Sequence, residues 1–359
     1  MRRLVFNIHL YLALSVGVFI AILGVTGAIM AFETELDHVL HGKYAYVEPG
    51  VSRLPLAEIG AAVGKVYPGE RIVGYSFWGP RLADLVALPG KQVYVNPYTG
   101  AVLGERSSGP DFLSRVHQLH LRLLIQTKAD PGKTIMSWAG VAILLLAVSG
   151  IYLWWPYMRV TVRGPLWGRR FWLDLHNAVG ICSFAFLIVL AATGIFIGFE
   201  ETTVPLAYRL TKSERMQLPR AIPAPPRGAR PIGVDQAVAI ARAAIPGAEP
   251  FQIGVPGPRG AYQVRSHFPE DLTGGGRSFV VVDQWTGAVL FAQGSRTAPA
   301  GTRLVNFNRA EHTGDVFGVG SKTVMSLMSL ALVGQLVSGV VMWWRRKETV
   351  GVSSKTRRR

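Results

Sequence analysis

Cysteine is nearly absent: Cys182 is the only one in 359 residues. One thiol cannot form an internal disulfide, a CxxC pair or a CxxCH attachment site. A covalently held c-type haem and a cysteine-ligated cluster are therefore both excluded. Charge is sparse as well, at 17% of residues against 49% hydrophobic, which excludes disorder. Acid is scarcer than base, with 22 Asp and Glu against 38 Lys and Arg. No dinucleotide-binding glycine fingerprint occurs.

The hydrophobic content is concentrated in four runs, Ile8–Phe32, Ile135–Trp155, Trp172–Phe199 and Val324–Trp344. Each reaches the roughly 20 residues that a membrane-crossing helix needs. Arg2 and Arg3 ahead of the first run raise the alternative of a cleaved signal peptide. Such a signal has an apolar core of about 7–15 residues and a small-residue cleavage site. This run is longer and continues into "AFETELD".

Orientation follows from the cations. The loop Pro156–Arg170 holds Arg159, Arg163, Arg169 and Arg170 without an acid. The segment after Trp344 holds Arg345, Arg346, Lys347, Lys355, Arg357, Arg358 and Arg359 against Glu348. Lys and Arg near helix ends mark the cytoplasmic side. Both termini and the short loop are thus expected inside, and the polar blocks Glu33–Lys133 and Glu200–Lys322 outside. The net charge of +16 then reports topology and attraction to the lipid bilayer, with no nucleic-acid partner.

The chain also reads as written twice. A shift of 167 residues lays the first run on the third without a gap, matching His9 to His176, Thr26-Gly27 to Thr193-Gly194 and Glu33 to Glu200. A shift of 189 lays the second on the fourth, matching "KTIMS" to "KTVMS", Ser149-Gly150 to Ser338-Gly339 and Trp154-Trp155 to Trp343-Trp344. In the polar blocks "VNPYTGAVL" matches "VDQWTGAVL", each a strand, a tight turn at Thr-Gly and a strand. Upstream, "PLAEIGAAVGKVYPG" and "GVDQAVAIARAAIPG" each predict a helix ending at Pro-Gly. The expected fold class is a membrane α-helical bundle of four transmembrane helices with two outer α+β modules, arising from a parallel internal duplication. The expected divisions are 1–33, 134–156, 171–200 and 323–345 for the helices, 34–133 and 201–322 for the modules, 157–170 for the inner loop and 346–359 for the basic tail.

Four of the eight histidines are paired by this repeat. His9 and His176 take equivalent places near the inner ends of two parallel helices. His120 and His312 precede the second and fourth runs, in segments that differ by three residues before the Lys-Thr anchor. Two imidazoles facing each other across a bundle are what a six-coordinate b-type haem requires. All four are candidate ligands to haem iron, for two haems b. Gly27 and Gly194 lie 18 residues beyond His9 and His176 on the same helix faces, where a macrocycle or a partner helix could approach closely. Ala13 and Gly180, one turn after each histidine, leave space beside the imidazole. His117, at i−3 of His120, is an alternate ligand. His38 and His41, which lack counterparts, are weaker alternates, and His267 is expected on an exposed loop or strand. The paired tryptophans read as membrane-interface anchors.

The segments "IHLYLALSVGVFIAILGVTG", "SGIYLWWP", "LHNAVGICSFAFLIVLAATG" and "SGVVMWW" resemble the repeated parts of PepSY-associated transmembrane proteins. The blocks with "YTGAVL" and "WTGAVL" are similar to PepSY domains. The resemblance covers nearly the whole chain. It implies a multi-pass protein of the bacterial inner membrane with two large periplasmic segments, of a family that includes haem-containing ferric-siderophore reductases of iron uptake. Some relatives carry a fused flavin- or NAD(P)H-binding domain. This chain stops about 15 residues after its last run. Its electron donor is therefore expected to be a separate flavoprotein reductase or quinol.

Three functions follow as expectations. The first is an oxidoreductase that carries electrons from the His9/His176 side to the His120/His312 side and reduces a ferric siderophore or other Fe(III) chelate bound between the two modules. The second is a non-enzymatic PepSY protein that senses or restrains a periplasmic partner, for which the histidines would be incidental. The third, a permease, is disfavoured because no charged residue stands at the middle of any run.

Overall fold

The computed structural model describes residues 1–165, 168–219 and 228–356, with side chains described as far as Arg345. Arg357, Arg358 and Arg359, and the side chains of Arg346, Lys347, Glu348 and Lys355, on which the expected tail charge rests, lie outside that description, as do residues 166–167 of the loop and 220–227 of the second polar block. The chain divides into a helical unit, residues 1–33, 113–206 and 307–359, and a sheet unit, residues 34–112 and 207–306.

In the helical unit, α1 (Arg2–Met30), α6 (Pro131–Trp154), α7 (Arg169–Gly198) and α11 (Val319–Thr356) are long, and each contains a stretch apolar enough to cross a membrane. Two shorter helices, α5 (Phe112–Arg122, its first residue assigned to the sheet unit) and α10 (Ala300–Thr313, entering the helical unit at Phe307), precede α6 and α11, the latter through a short 3-10 turn, Asp315–Phe317. Helix α1 packs against α6 and α11, and α7 packs against the same two. Lipid offers no hydrophobic drive for this packing, so close backbone approach supplies it. At Gly24 a Cβ would stand 2.7 Å from the Ser329 carbonyl oxygen, so α1 and α11 could not meet there around a larger residue. Ile20, Ile143, Leu187 and Leu332, one from each long helix, close the middle of the bundle.

The sheet unit contains α2 (Glu33–Leu40, its first residue assigned to the helical unit), α3 (Gly42–Ala45), α4 (Leu56–Val66), α8 (Glu200–Leu210, entering the unit at Ala207) and α9 (Val234–Ala244). Its strands are β1 (Gly74–Ser76), β2 (Asp84–Leu88), β3 (Lys91–Val95), β4 (Val102–Ser107), β5 (Glu249–Gly254), β6 (Ala261–His267), β7 (Ser278–Asp283) and β8 (Val289–Gln293). They form one antiparallel sheet in the order β4-β3-β2-β1-β5-β6-β7-β8. Alternation along the strands turns Val86, Val93, Ile253, Val264, Val280 and Val282 toward Ile59 and Val63 of α4 and Ala237 and Ala241 of α9. Full burial of a valine or isoleucine contributes about 1.5–3 kcal/mol relative to exposure.

Both predicted hairpins carry the same turn device. Asn96 Oδ1 accepts from the amides of Tyr98 and Thr99, and Asp283 Oδ1 from those of Trp285 and Thr286. The glycine that follows each has φ of +72°, a conformation glycine adopts without strain. The two predicted helices also engage each other: the Asp235 carboxylate of α9 accepts from the amides of Leu56 and Ala57 at the start of α4. A carboxylate at a helix N-terminus satisfies orphan donors and opposes the helix dipole.

Strand β1 hydrogen-bonds to β5 in register Gly74–Gly254, Tyr75–Ile253 and Ser76–Gln252, so the junction is continuous sheet with no cleft between those strands.

Candidate functional site

The helical unit brings the four paired histidines together two by two. His9 on α1 and His176 on α7 have ring centroids 6.4 Å apart, with planes at 81°. His120 on α5 and His312 on α10 also have centroids 6.4 Å apart, with planes at 59°.

Each imidazole is anchored in the same way. Nδ1 of His9 lies 2.8 Å from Ser149 Oγ, and Nδ1 of His176 lies 2.9 Å from Ser338 Oγ. Nδ1 of His120 lies 2.8 Å from Thr26 Oγ1, and Nδ1 of His312 lies 2.9 Å from Thr193 Oγ1. Every one of these hydroxyls already donates to a backbone carbonyl one turn earlier on its own helix: Leu145, Gly334, Ile22 and Val189. With its proton so used, the hydroxyl oxygen accepts, and Nδ1 of each ring must carry the hydrogen. That assigns the tautomer in which Nε2 holds the free lone pair.

A glycine follows each hydroxyl residue and receives the edge of the same ring. The Cβ positions of Gly150, Gly339, Gly27 and Gly194 stand 3.6, 3.8, 3.4 and 3.1 Å from Cε1 of His9, His176, His120 and His312. The Ser/Thr-Gly dipeptide thus orients one imidazole by hydrogen bond and makes room for it by lacking a side chain. The sequence marked these dipeptides through the repeat, but not as partners of the histidines. The close approach at Gly27 and Gly194 is made by the rings of His120 and His312 on the neighbouring helices α5 and α10, the partner-helix alternative that the sequence left open beside a macrocycle.

These donor sets suit a haem iron. A metal–imidazole bond of about 2 Å on each side, plus about 1 Å from nitrogen to ring centre, separates two such rings by about 6 Å. Ligating histidines characteristically donate their other ring N–H to an oxygen. Burial pushes the His120 imidazole below its ordinary range, with His312 and His117 adding to the effect, and burial followed by Arg309 does so for His312. The neutral form, which a ligand must be, is favoured at both. Around His9 and His176, all four long helices line an apolar cavity, with Ala13 and Gly180 among its walls.

The corresponding positions are not identical at this cavity. Gln335 stands where the repeat has Leu146, and its Nε2 donates to the His176 carbonyl at 2.8 Å. Asp174, near the start of α7, is buried and pairs with Arg170 at 3.0 Å.

The alternates are placed otherwise. His117 pairs with the Glu33 carboxylate at 3.2 Å. His41 belongs to the sheet unit, paired with Asp37 at 3.1 Å and stacked near Tyr94, while His38 lies edge-on to Tyr46. Among the described residues no group of three or more His, Cys, Asp or Glu is arranged to hold a bare metal ion. His120 and His312 stand on regular helices. The unequal lengths behind them are absorbed by left-handed Leu123, Leu124 and Asp130 in one case and by Gly314 with the 3-10 turn in the other. Trp155 and Trp344 are exposed, as interface anchors would be.

The family model described as "PepSY-associated TM region" matches residues 6–346, a span that contains all four paired histidines and their hydroxyl partners. A search of curated proteins found no match.

Proposed function

The chain belongs to that PepSY-associated transmembrane family, and on this premise we propose that it is a haem-containing electron-transfer protein that reduces a periplasmic Fe(III) chelate, a ferric siderophore, for iron release. The observation that carries the reading is the two imidazole pairs, each ring held with Nε2 free by a Ser or Thr hydroxyl. A b-type haem, when bound, supplies a one-electron carrier at each pair.

The protein's own residues do the rest. His9 and His176 would hold one haem and His120 and His312 the other. Ser149, Ser338, Thr26 and Thr193 fix the tautomer and raise ligand basicity. Ile20, Ile143, Leu187 and Leu332 keep water out of the bundle. One electron from a quinol or a flavoprotein on the cytoplasmic side converts Fe(III) to Fe(II), and a chelator built for the harder ion then releases the metal.

In this reading the protein lies in a bacterial inner membrane with both termini cytoplasmic and the sheet unit periplasmic, and the matched halves are a parallel duplication. Support for the duplication comes from the paired turn devices at Asn96 and Asp283 and from the four equivalent Ser/Thr-Gly cradles. The test is a single-turnover experiment on the full chain expressed with ample haem. Dithionite-reduced protein, freed of excess reductant, should be reoxidised by an Fe(III) chelate with about one Fe(II) formed per haem oxidised. Colourless protein, or reduced haem inert to every Fe(III) chelate offered, would overturn the proposal.

A further inference from the structure

Within the sheet unit, one end of the β1–β5 junction gathers groups that the haem sites do not use. Phe251, only 3% exposed, is the hub. Trp78, just beyond β1, stacks on it with centroids 4.7 Å apart and planes at 27°, and remains 37% exposed. The His267 ring lies 5.7 Å from Phe251, and the Arg265 guanidinium 5.6 Å. The loop after β6 is pressed onto this hub. Gly276, at φ +56°, would carry a Cβ 2.9 Å from the Phe251 ring.

Two features point to a ligand. Thr273 Oγ1, in the loop pressed onto the hub, and His267 Nδ1 are buried without a hydrogen-bond partner among the described residues. Buried polar atoms are nearly always satisfied in native structures, so two orphans within seven residues call for something that completes them. Second, the Arg265 charge has no carboxylate on it among the described residues. Its guanidinium donates to the Gly275 carbonyl at 2.9 Å and the Gln252 amide oxygen at 3.4 Å, both neutral. The nearby acids are engaged elsewhere, Glu270 with Arg296 and Asp271 with the Phe268 amide. The wider field agrees. Residues 207–306 contain 12 Lys and Arg against 6 Asp and Glu, whereas residues 34–112 contain 7 against 8.

We infer that this end of the junction is a recognition site for an anionic, aromatic Fe(III) chelate of the catecholate class. The inference rests on the reductase reading and names its substrate class. An aryl ring extends the Trp78–Phe251 stack, and the negative charge of the complex meets Arg265. Its phenolate oxygens accept from the Thr273 hydroxyl and the His267 ring. A neutral hydroxamate complex offers neither the ring nor the charge.

The test uses Ga(III) complexes, which bind as Fe(III) complexes do but are not reduced, so the result is independent of electron transfer. Binding of Ga(III) tris-catecholate, tris-oxalate and tris-acetohydroxamate to the detergent-solubilised full chain is measured by calorimetry. Tris-catecholate should bind at least about tenfold more tightly than the equally charged oxalate complex, and hydroxamate weakest. Arg265→Gln and Trp78→Leu should each weaken catecholate binding about tenfold. Arg242→Gln, at an exposed ion pair with Glu249, should not. Equal binding of the three complexes, or unchanged affinity in both R265Q and W78L, would overturn the inference. Haem content read on the same preparations separates the two claims. Catecholate binding without haem defeats the reductase reading, and haem without selective binding defeats only this one.

Discussion

Replacing Thr26 with valine removes one hydroxyl from the helical unit and changes little else, because the side chain is only 4% exposed and keeps its branched shape. What it takes away is the acceptor 2.8 Å from His120 Nδ1. Leaving a buried N–H unpaired costs about 1–3 kcal/mol. Loss of an outer-shell partner to a ligating histidine lowers metal affinity about 10–100-fold, which is about 1.4–2.7 kcal/mol. Two independent routes thus give the same size of effect. The measurement is a haem titration into haem-depleted protein in a His9→Ala background, where only the His120/His312 site remains. T26V should bind about 10–100-fold more weakly. The midpoint potential of whatever haem it retains should rise, since a less basic imidazole stabilises Fe(III) less. Thr26→Ser, which restores the hydroxyl, should recover both. T26V that matches the parent in affinity and midpoint would refute the assigned tautomer and the anchoring role of the Ser/Thr-Gly cradles.

The other predictions follow from the same geometry. His117→Ala should leave both haems in place, because His117 is paired with Glu33; loss of a haem from this variant, read by absorbance, would return it to the ligand set. Gly194→Ala should loosen the His120/His312 site, since the new methyl would stand 3.1 Å from the His312 ring, whereas Gly339→Ala at 3.8 Å from His176 should be close to neutral. Overpacking of this kind costs about 1–3 kcal/mol, readable as weaker haem retention in G194A and refuted by equal retention in the two variants. In the sheet unit, burial pushes the Asp84 carboxyl up to about 6, against the opposing pull of its Arg53 partner. An acid whose folded pKa is raised contributes stability that is complete below about pH 4 and is lost as pH rises through about 6. Thermal melts of the sheet unit's signal should therefore fall between pH 4 and pH 6 and then level off, and Asp84→Asn should flatten that slope; an unchanged slope in the variant would assign it to other groups.

Much of this architecture was legible in the sequence because it is written in local terms. Apolar length alone announced four helices. The matched "VNPYTGAVL" and "VDQWTGAVL", each with Thr-Gly at the turn, announced the hairpins. The four histidines stood out through paired positions, and the structure brings the rings of each pair within 6.4 Å of one another. What stayed hidden was pairing at long range. Thr26 meets His120, 94 residues away, and Ser338 meets His176, 162 residues away. Nothing in either neighbourhood says which helix will supply the oxygen. The edge-to-edge joining of β1 with β5 was hidden for a similar reason, because a strand's periodicity says which face is buried and nothing about its neighbour. His117 misled because spacing put it on the His120 face, while the charge that claims it, Glu33, sits on another helix.

The central claim is that the four imidazoles hold two haems, and haem-to-protein stoichiometry tests it most directly. Purified full-length protein, expressed with ample haem and assayed by pyridine haemochrome against amino-acid analysis, should contain two b-type haems per chain. His9→Ala and His312→Ala should contain one each, and the double variant none. A wild-type chain that binds no haem, or a double variant that keeps its full complement, would contradict the account.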